Sequence, residues 1–401
     1  MHMIQGKDIV IVGLQPWDTE IGSNCKDVAL EMSKNNRVLY VNSPLDRITK
    51  FRHKDKPFVK NRLAKMQQKE NSPALISSNL WVFDPNVIIE SVNWIKVDFI
   101  FDLLNKWNNQ RFAHSIKKAI SVLEMENFIL FNDSDIFRSF YLKELLNPEL
   151  SIYYSRDYLL SVDYWKYHGV RLEPKLMAKS DICVANSTYL TDLCKRYNPN
   201  SYYVGQGCET DAFLEAGELA VPNQITTIAQ PIIGYVGALT TIRLDLEIIT
   251  YIATENPQWN IVLVGPEDDE FKASQLHELK NVYFTGSKDP KELPAYVGSF
   301  TVCINPQLVN ELTIGNYPRK IDEYLAAGKP VVATKTEGMS EFAAHCYLAT
   351  NKHEYVKYIR EAMVSDSAEA SQERKTFASS HTWENSVGKI YEAITVSAVT
   401  V

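Results

Sequence analysis

The sequence predicts an α/β protein with two Rossmann-like domains. Its 401 residues exceed what one hydrophobic core usually supports. Short apolar, strand-like runs alternate with helical patterns in two series, one within residues 8–213 and one from residue 232 onward. A polar stretch at residues 215–230 separates the two series and reads as a linker. Such alternation predicts an open, mostly parallel sheet in each domain.

The composition excludes several classes of protein. Apolar residues make up 45% and charged residues 23%, and the net charge of −7 disfavours a nucleic-acid partner. Six scattered cysteines without a Cys-x-x-Cys pair indicate neither a zinc site nor a disulfide framework. No apolar run approaches the roughly 20 residues that cross a bilayer, and no signal peptide is recognisable. A cytoplasmic location is therefore expected.

In the first series, aspartates follow several predicted strands. Asp18, Asp133 and Asp157 lie in loops that come after strand-like runs. Ligands of open α/β sheets bind beyond the carboxyl ends of the strands, so these three carboxylates are candidates for a catalytic base. His168 is a further candidate on the same grounds. The alternative is that each Asp is an ordinary turn or cap residue and that His168 is a surface side chain.

A strongly basic segment follows the second predicted strand. Residues 46–70 contain nine Lys or Arg against three acids, a net charge of +6 in a chain that is negative overall. A solvated, mobile loop is one interpretation. The other is that residues 47–69 contact an anionic membrane surface or a phosphate-bearing acceptor, since each Lys or Arg near such a membrane contributes about 1 kcal/mol.

A long helical pattern covers residues 94–123. It carries Trp94, Phe99, Phe101 and Trp107. Because large aromatic side chains on a helix usually face the core, we expect all four to be buried.

The second series places glycines where predicted strands end. Gly237, Gly265 and Gly286 each close a strand-like run. Turns at such positions let a ligand approach the backbone closely. They predict a binding crevice along one edge of the second sheet.

Residues 316–334 read as a helix that leads into a buried strand. Pro318 suits a helix start, Ile321, Tyr324 and Leu325 recur at helical spacing, and Gly328 suits a C-terminal cap. Free N–H groups at the helix start, with Lys320 and Arg319 beside them, form a site for a phosphate. Glu323 is an acceptor for the two hydroxyls of a ribose. An ordinary helix–strand unit is the alternative.

The same stretch resembles a known signature. The pattern P-x-K-x-x-E-Y-L-A-A-G-K-P-V-V is similar to the donor-nucleotide motif of glycosyltransferases with the GT-B fold, in the broad family-four-like group (group 1). The run Gly207-x-x-x-Asp211-x-Phe213 and the strand before Ser187 resemble further units of that group. The variant with Lys320 resembles members found in bacterial cell-surface polysaccharide synthesis.

The resemblance implies a domain arrangement. Residues 1–214 would form an acceptor-side domain, 215–230 a linker, and 231–381 a donor-binding domain facing the first across a cleft. The last helix, within residues 382–401, would pack back on the first domain. The family generally needs no metal and no cofactor, because the nucleotide-sugar donor, with UDP or GDP, is a substrate.

The resemblance also implies a donor site and shows where this chain departs from the pattern. The implied site consists of Gly237, Arg243, Gly265, Gly286, Glu311, Arg319, Lys320 and Glu323. In the turn after Gly237, Ala238 stands where relatives often have Arg, and Arg243 falls where a Lys is expected. Many relatives carry a first Glu near the donor sugar. Gly315 occupies that position here, and Glu311 is the nearest acid.

The sequence therefore predicts a nucleotide-sugar-dependent glycosyltransferase, of the hexosyltransferase type, that acts on a glycan or lipid-linked acceptor. An inverting reaction would need a base such as Asp18, Asp133 or Asp157, whereas a retaining one need not. A sugar-nucleotide epimerase and a non-catalytic nucleotide-sugar-binding subunit stay open as alternatives. The enzyme is expected in the cytoplasm, with the inner membrane face as a working location.

Overall fold

The computed structural model describes residues 4–19, 23–67 and 72–399 and divides the chain into two compact units. The first unit runs to Gly205 and resumes at Ser386, and the residues between these points form the second unit. Each unit contains a mostly or wholly parallel sheet, which confirms the predicted α/β fold class.

The first unit is organised around an eight-stranded sheet. The described strands of the first unit, eight in this sheet and two in a separate pair, are β1 (Asp8–Val12), β2 (Arg37–Val41), β3 (Leu45–Asp46), β4 (Ala74–Ser77), β5 (Leu80–Phe83), β6 (Ile88–Ile89), β7 (Ile129–Asp133), β8 (Leu150–Ser155), β9 (Ile182–Ala185) and β10 (Ser201–Tyr203). Its described helices before Gly205 are α1 (Asn24–Ser33), α2 (Arg47–Arg52), α3 (Pro57–Met66), α4 (Asp98–Val122), α5 (Leu142–Leu146), α6 (Asp163–Lys179) and α7 (Thr188–Lys195).

The strand order of this sheet is β10-β9-β8-β7-β1-β2-β5-β4. All neighbours are parallel except β4 and β5, which form an antiparallel hairpin. The strands β3 and β6 pair separately. The chain builds outward from β1 in one direction through β2 and in the other through β7. The crevice between the loops after β1 and β7 is thus the switch point where ligands of open α/β sheets bind.

Helices cover this sheet and bury its apolar strands. Val10 and Leu39 pack with Phe112 of α4, and Tyr153 packs with Leu176 of α6. Strands that are covered on both faces read as continuous apolar runs rather than alternating ones. That property made β1 and β2 recognisable in the sequence.

The aromatic residues around α4 divide between core and solvent. Phe101 is fully buried, whereas Trp94, Phe99 and Trp107 are 70%, 76% and 44% exposed. The expectation that all four belong to the core was wrong for these three. The reason is helix geometry, because Phe99 and Trp107 project from the face opposite the one that carries Phe101 and Phe112.

The basic segment is helical rather than a loop. It forms α2 and α3, and Val59 and Arg62 of α3 are buried. The Arg62 guanidinium donates a 2.9 Å hydrogen bond to the Ser43 carbonyl and contacts Asp18 at 3.4 Å. The solvated-loop interpretation is therefore wrong for the described part, and Lys69 lies outside the described residues.

The second unit is organised around a six-stranded parallel sheet. Its strands are β11 (Ile232–Val236), β12 (Asn260–Val264), β13 (Val282–Gly286), β14 (Val302–Asn305), β15 (Val331–Thr334) and β16 (Tyr347–Ala349), and they follow the order β13-β12-β11-β14-β15-β16. Its helices are α8 (Asp211–Leu214), α9 (Leu246–Glu255), α10 (Asp269–Lys272), α11 (Leu293–Gly298), α12 (Arg319–Ala326), α13 (Lys352–Ser365) and α14 (Ala368–Ser379). The switch point of this sheet lies between β11 and β14.

The predicted domain boundary at residue 214 and the linker at 215–230 need correction. The division lies after Gly205, so both segments belong to the second unit. Phe213, Ile225 and Ile228 are buried in the same cluster as Phe300. Residues 215–230 are mostly polar, so Ile225 and Ile228 among them were not recognised as core residues, and the stretch was interpreted as a linker.

The C-terminal helix α15 (Trp383–Val399) returns to the first unit, to which its residues from Ser386 onward belong. Tyr391 is buried and its hydroxyl accepts a 2.9 Å hydrogen bond from the Asn36 amide. The Ser386 hydroxyl lies 3.3 Å from the Gly205 carbonyl. Within the described residues, no helix is both long enough and apolar enough to cross a bilayer.

Phe213 offers a test of the corrected boundary. Replacing Phe213 with Ala should lower the free energy of unfolding of the second unit by about 3 kcal/mol, because a buried Phe leaves a cavity. Chemical denaturation followed by limited proteolysis measures this change. Leu219→Ala is the matched control, since Leu219 is 43% exposed in the same stretch. Equal, small effects of both changes would contradict the packing of Phe213 in the core of the second unit.

Candidate functional site

The start of α12 lies beside the switch point of the second sheet. The helix begins at Arg319, and Ile321, Tyr324 and Leu325 are buried. Gly328 follows the helix with φ of +72° and its N–H donates to the Leu325 carbonyl at 2.8 Å. The predicted helix–strand unit is confirmed at both ends.

Tyr324 fixes α12 against β11. Its hydroxyl is buried and accepts a 2.7 Å hydrogen bond from the Val236 N–H, the last residue of the strand. The sequence indicated Tyr324 only as an apolar position, and its polar end was missed. Because one turn of helix separates Tyr324 from Lys320, this bond also sets the position of the lysine.

Lys320 projects over the turn that follows β11. Its ammonium group hydrogen-bonds the Tyr235 hydroxyl and lies 4.0 Å from the centre of the Tyr235 ring. A Cβ atom added to Gly237 would be 2.7 Å from Lys320 Nζ. The structure therefore brings together two of the predicted donor residues, Gly237 and Lys320, and adds Tyr235, which the sequence did not single out.

Two glycines make this turn possible. Gly237 and Gly265 have φ of +143° and +152°, a region that other residues rarely adopt. A Cβ atom on Gly265 would lie 1.9 Å from the Gly237 carbonyl oxygen. At this point the backbones of the loops after β11 and β12 touch each other directly. Gly286 ends the edge strand β13, and no atom lies within 4 Å of its Cβ position.

Glu323 is the acceptor group of the site. Its carboxylate accepts no hydrogen bond from any residue that the structure describes, so its oxygens are available to a ligand. Burial raises the pKa of Glu323, while the charges of Arg319 and Lys320 lower it. A half-buried carboxylate beside two cations can accept hydrogen bonds from hydroxyl groups while phosphate binds the cations.

The neighbouring Asp322 has a structural role. It is fully buried, and its two oxygens lie 2.6 Å from His381 Nδ1 and 2.8 Å from the Tyr317 hydroxyl. Burial raises the pKa of Asp322, which these two partners oppose. This network connects the α12 start to the segment before α15. The sequence pattern did not indicate this pairing.

The remaining predicted donor residues lie on two loops that are joined by backbone hydrogen bonds. The Leu308 N–H donates to the Arg243 carbonyl at 2.8 Å, and the Asn310 amide donates to the Ile242 carbonyl at 3.0 Å. Arg243 and Glu311 are both exposed on these loops. They follow β11 and β14, so they flank the switch point.

Gly315 occupies the position at which the family resemblance implies a first Glu. It is buried in the loop before α12, and the Gly338 N–H contacts the preceding Ile314 carbonyl at 3.4 Å. A Cβ atom on Gly338 would be 2.9 Å from the Asn316 carbonyl oxygen. The backbone at this position is thus packed closely against the segment that contains Gly338.

In the first unit, two predicted carboxylates share one arginine. Asp133 is fully buried, and its Oδ1 accepts a 2.7 Å hydrogen bond from Arg156 Nε. Its Oδ2 accepts a 3.1 Å bond from the Leu14 N–H, which joins the loops after β1 and β7. Arg156 also donates to Asp157 at 2.8 Å. Arg156 itself was not predicted, although it stands directly before Asp157.

These contacts correct the predicted role of Asp133. A proton acceptor must reach the hydroxyl that it deprotonates, and Asp133 has no exposed surface and is held by Arg156. Asp18 and Asp157 have about half of their side chains exposed and stay candidates. His168 is buried, stacked on Phe101 at 3.6 Å, and burial lowers its pKa, so it is a core residue.

The first unit also contains a pocket of about 480 Å³, the size of small-molecule sites. It lies among the loops after β2 and β6 and the start of α6. Its walls combine aromatic rings with carboxylates, namely Trp94, Phe137, Tyr164, Trp165 and Tyr167 with Asp46, Glu90 and Asp163. Asp18, Asp133 and Asp157 are not among its described lining residues.

Two Rossmann-like units, one of which brings Lys320 and Glu323 at a helix start to its switch point, have the architecture of nucleotide-binding α/β proteins. Residues 230–365 match the family model described as glycosyl transferases group 1. This segment contains β11 to α13 and therefore the whole candidate donor site. Residues 230–365 are thus similar to the group 1 glycosyl transferases, in agreement with the resemblance seen in the sequence.

Comparison with curated proteins and solved structures agrees. A glycosyltransferase named for teichuronic acid biosynthesis, TuaH of Bacillus subtilis (strain 168), is 30% identical over 176 residues, 42% of this chain and 44% of the relative. Sucrose-phosphate synthase from Thermosynechococcus elongatus matches at a TM-score of 0.66 and 14% identity, over 98% of this chain and 100% of that one.

Anabaena Alr3699/HepE in complex with UDP matches at a TM-score of 0.67 and 14% identity, over 97% of this chain and 100% of that one. At such identities the structural matches establish the fold, which is GT-B. None of these relatives supports an epimerase or a non-catalytic subunit.

The Asp133–Arg156 pair yields a prediction about stability. Asp133→Asn should lower the free energy of unfolding by about 3 kcal/mol or more, because it leaves the buried Arg156 without its charge partner. Urea denaturation measures the change. Asp157→Asn, on the half-exposed partner of the same arginine, is the control and should cost less than about 1 kcal/mol. A fully stable Asp133→Asn protein without transferase activity would restore Asp133 as a catalytic candidate.

Proposed function

We propose that this protein is a UDP-sugar-dependent glycosyltransferase of cell-surface polysaccharide synthesis. The observation that carries the proposal is the juxtaposition of Gly237, Lys320 and Glu323 at the switch point of the second sheet. Lys320, Arg319 and the N–H groups of the α12 start bind the diphosphate. Glu323 accepts hydrogen bonds from the ribose hydroxyls.

The same groups favour bond cleavage in the donor. As the bond between the sugar carbon and the diphosphate oxygen breaks, negative charge grows on the departing UDP. Fixed cations at Arg319 and Lys320 stabilise that charge more in the transition state than in the ground state. The acceptor hydroxyl oxygen forms the new bond to the sugar carbon. Its proton passes to Asp18 or Asp157 in an inverting reaction, or to the leaving phosphate in a retaining one.

The uracil assignment and the type of product rest on the relatives. HepE of Anabaena has been solved with UDP, with UDP and glucose, and with UDP-glucose. TuaH is named for teichuronic acid biosynthesis. The aromatic pocket of the first unit supports a glycan acceptor, because aromatic faces and carboxylates suit the C–H and O–H groups of a sugar.

The exposed charges of the basic segment support the proposal that the enzyme acts at the inner face of the membrane. Lys50, Arg52, Lys54, Lys56 and Lys60 of residues 47–69 are exposed. Phe51, on α2 among them, is 82% exposed. Exposed cations with an interleaved aromatic ring attract and insert into an anionic lipid surface. A lipid-linked acceptor would meet the enzyme there.

Glu323 provides the test of donor binding. Glu323→Ala should abolish UDP binding, and the nearly isosteric Glu323→Gln should weaken it at least about tenfold by removing a charged hydrogen-bond acceptor. Isothermal titration calorimetry with UDP, and with GDP for comparison, measures both. The control is Glu278→Gln, an exposed carboxylate of the same unit. Unchanged UDP affinity in Glu323→Ala, or tighter binding of GDP, would remove the donor assignment.

Transfer itself is measured with radiolabelled UDP-sugars and a membrane fraction as the acceptor source. Label should enter lipid-extractable or polymeric material only when both the protein and the correct donor are present. Nucleotide binding without transfer or donor turnover on any acceptor fraction would contradict the enzymatic proposal while leaving the donor site intact.

The membrane contact has a separate test. Sedimentation with vesicles of phosphatidylcholine containing 30 mol% phosphatidylglycerol should pull down the protein, and raised salt should release it. The double change Lys54→Gln and Lys56→Gln should weaken binding by up to about 30-fold, at about 1 kcal/mol for each charge. The control removes two exposed lysines of the second unit, Lys280 and Lys291. Salt-insensitive binding, or an equal loss in the control, would argue against this segment.

A further inference from the structure

A basic groove crosses the first unit between α3 and α4. It consists of two adjoining pockets of about 530 and 450 Å³ that share Asn86, Val87 and Arg111. Five basic side chains line this basic groove, namely Arg47, Lys50, Arg111, His114 and Lys118. Its described lining residues include no Asp or Glu, in contrast to the aromatic pocket with its three carboxylates. The sign of the field in the basic groove favours an anion.

Arg111 provides the geometric focus. Its Nη1 is buried and has no hydrogen-bond partner among the described residues. The nearby carboxylate of Glu90 is occupied, since it accepts from Arg47 Nε at 2.6 Å. A buried N–H donor on a cation is costly when it lacks an acceptor. A phosphate oxygen in the basic groove would supply that acceptor.

One face of α4 joins the basic groove to an apolar stripe. Phe99, Leu103 and Trp107 recur every four residues, so they lie on one face, and Arg111 takes the next position. Phe99 and Leu103 are 76% and 60% exposed, and Trp107 lies at the junction with its ring 4.5 Å from the Arg111 guanidinium. The face thus changes from apolar to cationic along the helix, with Lys118 further on.

We propose that the basic groove binds the phosphate of a membrane lipid, whose hydrocarbon chain lies along Phe99, Leu103 and Trp107. A lipid phosphate is the ligand whose apolar and anionic parts match this order. Basic and apolar residues side by side also favour a lipid over a free phosphate, because a free phosphate has no hydrocarbon part that could pack on the apolar stripe. The inference deepens the membrane contact proposed above and does not involve the donor site.

The experiment compares neighbouring charges on one helix. Binding to vesicles of phosphatidylcholine with 30 mol% phosphatidylglycerol is measured for wild type, Arg111→Gln, Lys118→Gln and Lys117→Gln. Lys117 is exposed beside Lys118 but does not line the basic groove, so it removes the same charge elsewhere. Arg111→Gln should weaken binding about tenfold, Lys118→Gln should weaken it clearly, and Lys117→Gln should have little effect.

Two further variants separate a shaped site from diffuse charge. Arg111→Lys keeps the charge but removes the planar fork, so it should still weaken binding. Trp107→Ala removes apolar surface without altering charge and should weaken binding as well. Equal losses in Lys117→Gln and Lys118→Gln, with Arg111→Lys unchanged, would overturn the site in favour of diffuse attraction.

Soluble inorganic pyrophosphate distinguishes the two sources of phosphate. If it binds the wild type in an Arg111-dependent manner while vesicles do not, the lipid assignment is wrong. Calorimetric titration of each variant with UDP shows whether the variant is folded. It also distinguishes a failure of the donor site from a failure of the basic groove. Loss of UDP binding in wild type would count against the donor site, whereas intact UDP binding with no lipid effect would count against the basic groove alone.

Discussion

The hydrogen bond between Tyr324 and the end of β11 is the contact on which the donor site depends. The Tyr324 hydroxyl accepts from the Val236 N–H at 2.7 Å inside a fully buried environment. A backbone group at the end of a central strand must find a partner, and here a helix side chain supplies it. The bond therefore holds one turn of α12 at a fixed height above the sheet. Lys320 and Glu323 lie on that turn, so this hydrogen bond also fixes their position.

The close approach of two backbone turns is the second constraint on the donor site. The turn after β11 touches the turn after β12 so closely that Gly265 has no room for a side chain. This closeness leaves the space above Gly237 to Lys320 and to a ligand. At Gly315, by contrast, the chain has glycine where the family resemblance implies an acid. The nearest acid, Glu311, is exposed on the same loop between β14 and α12.

The sequence predicted the parts of the fold that follow from local pattern. Continuous apolar runs identified β1 and β11, and helical spacing with Gly328 identified α12. Contacts between distant segments could not be read in this way. Arg156 was missed because only the folded sheet brings it to Asp133, 23 residues away. The same holds for His381 and its partner in α12, which are 59 residues apart.

Charge counting had a comparable limit. The net charge of residues 46–70 counts all nine cations equally, yet those that the structure describes differ in burial and in their partners. Arg62 is buried and holds Asp18 and the Ser43 carbonyl, so its charge is satisfied within the protein. Arg47 is paired with Glu90, whereas Lys54 and its neighbours face solvent. Only the exposed charges can attract a membrane, whereas the buried Arg62 anchors α3 to the loops after β1 and β2. The segment is therefore positioned by one part of its charge and can recruit an anionic surface with the other.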